Sequence, residues 1–139
     1  TTGKQTKPGA FSLTWIDVNS DGEATEVKER GQQIAQEMMG MSGFISSALM
    51  SVAHRLITTT AWEDADAPKQ MLTGGAHKAA MDRFFGSDFA AAGTTTVWVP
   101  ERSSGMWVRC TSCGTMTNYD QGEGKCRCGQ QLPEHPPYW

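Results

Sequence analysis

The sequence predicts an α+β fold of β-α-β-β-α-β order followed by a small cysteine-rich metal module. Three observations carry this. Phe11 to Val18 alternates and is rich in aromatic and branched residues. An amphipathic stretch follows it behind the turn and capping cluster at Asn19 to Gly22. All four cysteines fall in the last 30 residues, as Cys110-x-x-Cys113 and Cys126-x-Cys128. Strict alternation marks a half-buried strand, and apolar recurrence every three to four residues marks a helix.

The first strand is predicted over Phe11–Val18. Ser20 with Glu23 three residues on fits a capping box, in which each side chain satisfies a backbone N–H at the helix start. Val27, Ile34, Met38 and Met41 then form the buried stripe, and the helix ends near Gly40 or Gly43. Phe44 to Trp62 reads as two strands with a reversal at Ala53, His54 and Arg55, where no Gly or Pro supplies turn chemistry. Asp64 or Asp66, followed by Pro68, opens a second helix with Met71, Leu72, Ala76, Ala79, Ala80 and Phe84 on its apolar side, stopping by Gly86. Thr94 to Pro100 is the last strand. This order is a ferredoxin-like arrangement. The expected organisation is a lead-in at 1–9 read as flexible, the α+β domain at 10–105, a zinc ribbon at 106–132 and a Pro-rich tail at 133–139.

Cys110, Cys113, Cys126 and Cys128 form two close pairs separated by 12 residues, which is metal-ligand spacing. Two tight knuckles deliver two sulfurs each to a tetrahedral ion, and Gly114 and Gly129 after each pair permit the positive φ such turns often require. The expectation is one structural zinc in a knuckle–hairpin–knuckle ribbon. Two disulfides, free thiols or an iron–sulfur cluster are the alternatives. Four protein ligands leave no open position for catalysis.

Composition bounds the partners. The chain has 139 residues and a formal charge of -3, so it lacks the basic excess of a nucleic-acid binder. No apolar run is long enough for a membrane helix, and the N-terminal residues contain no apolar core of a signal peptide; a cytoplasmic chain with no membrane partner is expected. Leu, Ile, Val and Phe are few, and 8 Met and 5 Trp supply the missing apolar volume.

Gly43 and Phe44 after an amphipathic helix, the run Ala61, Trp62, Glu63, Asp64 closing the middle hairpin, and His77 on the second helix resemble the antibiotic-biosynthesis-monooxygenase-like family. The resemblance covers about residues 10–100. It implies a dimeric α+β barrel whose members include cofactor-free oxygenases and cyclases of aromatic polyketides, and haem-degrading enzymes. On that reading the chain is a small-molecule enzyme, haem is a second cofactor to test, and a homodimer is expected. One sheet face, either Phe11, Leu13 and Trp15 or Ser12, Thr14 and Ile16, would be too apolar to leave wet. A non-enzymatic module with the ribbon as docking surface is the third reading.

The candidate catalytic residues are His77, as general base or haem ligand, and Asp17, a carboxylate on an apolar face whose pKa burial would raise. Trp62, Trp15, Trp98 and His54 are the candidate substrate-binding residues, since a Trp- and Met-lined interior suits a flat aromatic ligand. Each also has a plainer reading: the tryptophans as core, His54 as a turn residue, Asp17 at a wet strand end, and His77 and His135 as solvated.

Overall fold

A computed structural model describes residues 1–73, 75–86 and 88–139. Two compact units emerge, Thr1–Pro100 with Trp139, and Glu101–Tyr138. The first contains β1 (Ala10–Asp17), α1 (Asp21–Met38), β2 (Phe44–Val52), β3 (Arg55–Trp62), a 3-10 helix (Ala67–Thr73), α2 (Gly75–Phe85) and β4 (Ala92–Trp98). Its four strands pair antiparallel in the order β2-β3-β1-β4, the ferredoxin-like arrangement.

Helix α1 starts at the expected cap. The Ser20 hydroxyl accepts from the Glu23 N–H at 3.2 Å, while the Glu23 carboxylate accepts from the Asn19 N–H at 2.8 Å, one residue before the cap itself. The middle hairpin reverses at Ala53 and His54, with Val52 paired to Arg55 and Ala53 at φ 51°. An alanine in the left-handed region is uncommon, which is why the turn has no sequence signal.

The second helix differs from expectation. A single helix was predicted from Asp64 or Asp66 to Gly86, passing through position 74, which lies outside the described residues. Instead a 3-10 segment ends at Thr73 and α2 begins at Gly75, whose φ of +69° no continuous helix tolerates. The Asp64 carboxylate caps the 3-10 segment by accepting from the Asp66 and Ala67 N–H groups, both at 2.8 Å.

Strand register decides which face meets the helices. Ser12 stands opposite Thr60 and Val97, Thr14 opposite Thr58 and Thr95, and Ile16 opposite Leu56 and Gly93; this row faces the helices. The other face carries Phe11, Leu13 and Trp15 beside Ile57, Met50 and Trp98, of which Met50 and Trp98 are exposed at 48% and 62%. The core lies at one end of the helix side, where Met38, Phe44, Trp62 and Ala67 pack together with Ile34, Ala35, Met41 and Met71 around them.

Residues 1–9, expected to be a flexible lead-in, are instead tied down. A bulge in β2 at Ile45 takes that residue out of the ladder. The Ile45 carbonyl accepts from both the N–H and the hydroxyl of Thr2, at 3.0 and 2.8 Å. Lys4 pairs with Glu63 at 2.8 Å, and the Gly9 N–H donates to the Trp62 carbonyl at 2.9 Å.

The second unit begins at Glu101, earlier than the expected boundary at 105. It has a two-stranded sheet, β5 (Trp107–Arg109) and β6 (Met116–Asn118), over a core of Val108, Cys110, Cys126 and Leu132. The first cysteine knuckle is itself the turn of this hairpin, whereas a hairpin between the two knuckles was expected. The tail packs too: His135 sits edge-on between Tyr119 and Tyr138, with ring centroids 4.7 and 5.1 Å away, and the Tyr138 hydroxyl donates to Asp120. His135 is therefore half-buried among rings rather than solvated.

Candidate functional site

Between the sheet and the helices of the first unit lies a cavity of about 1040 Å³. Its sheet wall is rich in hydroxyls, with Ser12, Thr14, Thr58 and Thr60 facing in. The opposite wall is mainly apolar, with Ile34 and Met38 from α1, Met71 from the 3-10 segment and Phe84 from α2, and it carries Arg30, Asp66 and Lys69 as charged groups. Such a two-sided lining suits a ligand with a flat apolar body and oxygen substituents along one edge.

The hydroxyls are ordered by tryptophan. Ser12 and Thr60 approach to 2.6 Å, and the Trp62 indole N–H donates to both, at 3.0 and 2.8 Å. Trp62 has no exposed surface, and its ring packs edge-on against Phe44 at 5.2 Å. It is not among the residues that line the cavity, and it acts on the lining through these hydroxyls. Further along, the hydroxyls of Thr14 and Thr95 pair at 2.8 Å.

His77, on α2, lines the same cavity and is half-buried. Burial lowers its pKa from the ordinary 6.5, against the opposing pull of a hydrogen bond to the Met71 carbonyl and the charge of Glu37. The imidazole is therefore neutral near pH 7. A ring N–H given to Met71 leaves the other nitrogen with its lone pair free to accept a proton. Glu37 also caps α2, its carboxylate oxygens both 2.8 Å from the Ala76 N–H.

The other candidates lie elsewhere. Alternation puts Trp15 and Asp17 on the face turned away from the cavity. Arg55 holds Asp17 in a two-pronged pair, both contacts 2.7 Å, and lies 3.9 Å over the Trp15 ring. The Arg55 hydrogen bonds lower the Asp17 pKa, against the raised value expected from burial, so this carboxylate is not a proton acceptor near neutrality. Trp98 is on the same outer face, its N–H donating to the Thr96 hydroxyl at 2.6 Å. His54 is exposed at the hairpin tip, its carbonyl accepting from the Val18 N–H. The hydroxyl wall was missed because the runs Thr58–Thr60 and Thr94–Thr96 read as strand propensity. Its signal was the small polar set Ser12 and Thr14 alternating with large apolar residues.

In the second unit the four cysteines converge. All four Sγ atoms lie within 4.8 Å of one another, with Cys110 to Cys128 at 3.8 Å and Cys113 to Cys126 at 3.6 Å. Tetrahedral zinc with bonds of about 2.3 Å sets its sulfurs about 3.8 Å apart. A disulfide needs about 2.05 Å, so neither pairing is one. The two knuckles are built alike: Cys110 N–H to Thr115 and Gly114 N–H to Cys110, then Cys126 N–H to Gln130 and Gly129 N–H to Cys126, all 2.9 Å. Gly114 and Gly129 have φ of +71° and +85°, as that geometry demands. The Thr115 hydroxyl and N–H pull Cys113 down to about 6. Cys128 is pushed up to about 11: the Gln130 N–H lowers it, but the neighbouring Cys113, burial, Cys126 and Cys110 together outweigh this. Four thiolates this close need a cation among them, and the donor set can hold a metal ion.

Sheet order and helix placement define the first unit as a ferredoxin-like fold of the antibiotic-biosynthesis-monooxygenase kind. The chain is similar in structure to SnoaB, a cofactor-independent oxygenase from Streptomyces nogalater, at 13% identity and a TM-score of 0.55 over 70% of this chain and 98% of that one. It is similar to the monooxygenase from the ActVA-Orf6 gene of Streptomyces coelicolor, solved with nanaomycin D, at 12% identity and a TM-score of 0.54 over 69% and 90%. A protein from Deinococcus radiodurans named as a candidate antibiotic biosynthesis monooxygenase matches at 14% and 0.58 over 68% and 94%. No family model matches the chain, and no curated protein does.

Proposed function

We propose that the chain is a small-molecule enzyme of the cofactor-independent oxygenase or cyclase kind, acting on an aromatic or enolisable substrate, with a structural zinc on its four cysteines. The observation that carries this is the cavity itself, with its neutral His77 opposite a hydroxyl wall. His77 takes a proton from an acidic C–H, and the one hydroxyl hydrogen of the Ser12–Thr60 pair not used between them is donated to the enolate oxygen that forms. In the oxygenase version a CH₂ group becomes a carbonyl: one atom of dioxygen stays on carbon, and the other leaves as water with the two hydrogens. In the cyclase version the carbanion attacks a carbonyl carbon of the same molecule, and His77 returns the proton to the new alkoxide. SnoaB, a cofactor-independent oxygenase on the same fold, supports the reading.

The test is dioxygen uptake and product analysis of the purified chain with a panel of enolisable aromatic ketones. Turnover that falls in His77→Ala without loss of melting temperature supports the proposal, and a chain that neither binds nor converts any member overturns it. A neutral imidazole is also the form that ligates haem iron. A Soret shift on haem titration, lost in His77→Ala, would select the haem reading instead.

A further inference from the structure

The second unit carries a concavity of its own, of about 470 Å³, between β6 and the Lys125–Arg127 arm of the second knuckle. Trp107 and Met116 line it and are exposed at 51% and 43%. Lys125 and Arg127 supply its charge, and among the described residues lining it there is no carboxylate. Neither cation has a carboxylate partner among the described ion pairs. Arg109 pairs across the hairpin with Met116 and shares its face with Trp107, its guanidinium donating to the Gly114 carbonyl at 2.7 Å. Across residues 101–138 four cations meet four carboxylates, so the positive charge is a local feature of the slot rather than an excess of the unit.

Exposed Trp and Met beside unopposed cations are the composition of a recognition surface. Among the described residues β6 pairs with β5 alone, and at its end the Asn118 carbonyl accepts from the Gly122 N–H at 3.0 Å, so only part of its outward backbone remains open to the slot. An open strand edge recognises polypeptide backbone, which nucleic acid does not offer. The chain's net charge of -3 opposes a long polyanion most strongly and gives an acidic partner no attraction at a distance, so the attraction is confined to the slot cations. The geometry points to a docking site for an extended acidic segment of a partner protein, its carboxylates on Lys125 and Arg127 and an apolar side chain on Trp107 and Met116. This site is independent of what the barrel cavity holds.

Fluorescence anisotropy of the full, metal-loaded chain with a fluorescein-labelled peptide of alternating glutamate and valine tests it. Saturable binding is expected. Replacing glutamate by glutamine in the peptide should weaken it at least about tenfold, and so should Trp107→Ala or the double change Lys125→Glu, Arg127→Glu. Metal content measured on each variant shows that the module remains folded. If the charge reversal releases the metal, Lys125→Gln with Arg127→Gln carries the same test. No binding of the glutamate peptide at about 1 mM overturns the proposal. So does unchanged affinity in metal-loaded variants, or an oligothymidylate that binds where the peptide does not.

Discussion

His77 is placed so that its surroundings and its helix act on it in opposite directions. Burial disfavours the imidazolium, while Glu37 and the Met71 carbonyl favour it, and burial wins. Its folded pKa thus lies below the ordinary 6.5. Protons bind the unfolded chain preferentially, so the stability His77 contributes is fully present above 6.5 and is lost as pH falls from there through the folded value. The base is also neutral above 6.5, so kcat/KM should be level there and decline on the acid side; in His77→Ala the level should drop and the acid limb flatten. A pH–rate profile of both proteins checks this. Trp62 makes a different contribution. Trp62→Phe keeps the ring against Phe44 but removes the N–H shared by Ser12 and Thr60. Those hydroxyls still bond each other at 2.6 Å, so the cost should be about 1 kcal/mol in urea unfolding, with a larger proportional loss in ligand affinity.

At the scale of elements, α2 depends on a side chain from α1. Glu37 accepts from the Ala76 N–H where α2 begins and its carboxylate sits against Gly75, where a Cβ would have to displace it and where φ of +69° favours glycine in any case. Glu37→Ala should cost about 1 kcal/mol, the usual value of a helix cap, and speed hydrogen exchange in the first turn of α2; Glu37→Gln, which keeps an acceptor, should lose less. None of this was legible in the sequence, because the pairing joins residues 39 apart. What was legible was local. Ser20 and Glu23 announced α1, and the cysteine spacing announced the knuckles, because the groups that act together are neighbours in the chain. The hidden fact was which face of β1 turns inward. Both Phe11-Leu13-Trp15 and Ser12-Thr14-Ile16 alternate, and burial of the more apolar row in the core is the ordinary expectation. Here the hydroxyl row faces the helices because the space beneath them is a cavity, and only the pairing with Thr58, Thr60 and Thr95 reveals it.

The whole molecule has two separate cores, one around Trp62 and one around the cysteines. Chelation should therefore unfold the second unit while the first keeps its far-ultraviolet signal, and elemental analysis before chelation should return about one zinc per chain. Stoichiometric iron instead would replace zinc as the occupant. The outer sheet face, with Trp98, Met50 and Val52 exposed at 62%, 48% and 63%, is more apolar than a lone chain leaves in water. We expect two copies to meet across it, and light scattering should give about twice 15.1 kDa. A monomer at high concentration would refute that arrangement.

The hydrogen bonds of Thr2, Lys4 and Gly9 bear on how the protein can be handled at the bench. Ala10 opens the first periodic segment, and a designer trimming by pattern would cut just before it. That cut strips the donors from the carbonyls of Ile45 and Trp62, beside the buried cluster of Met38, Phe44 and Trp62. Assays of ligand affinity are therefore best compared between proteins that share the same first residue.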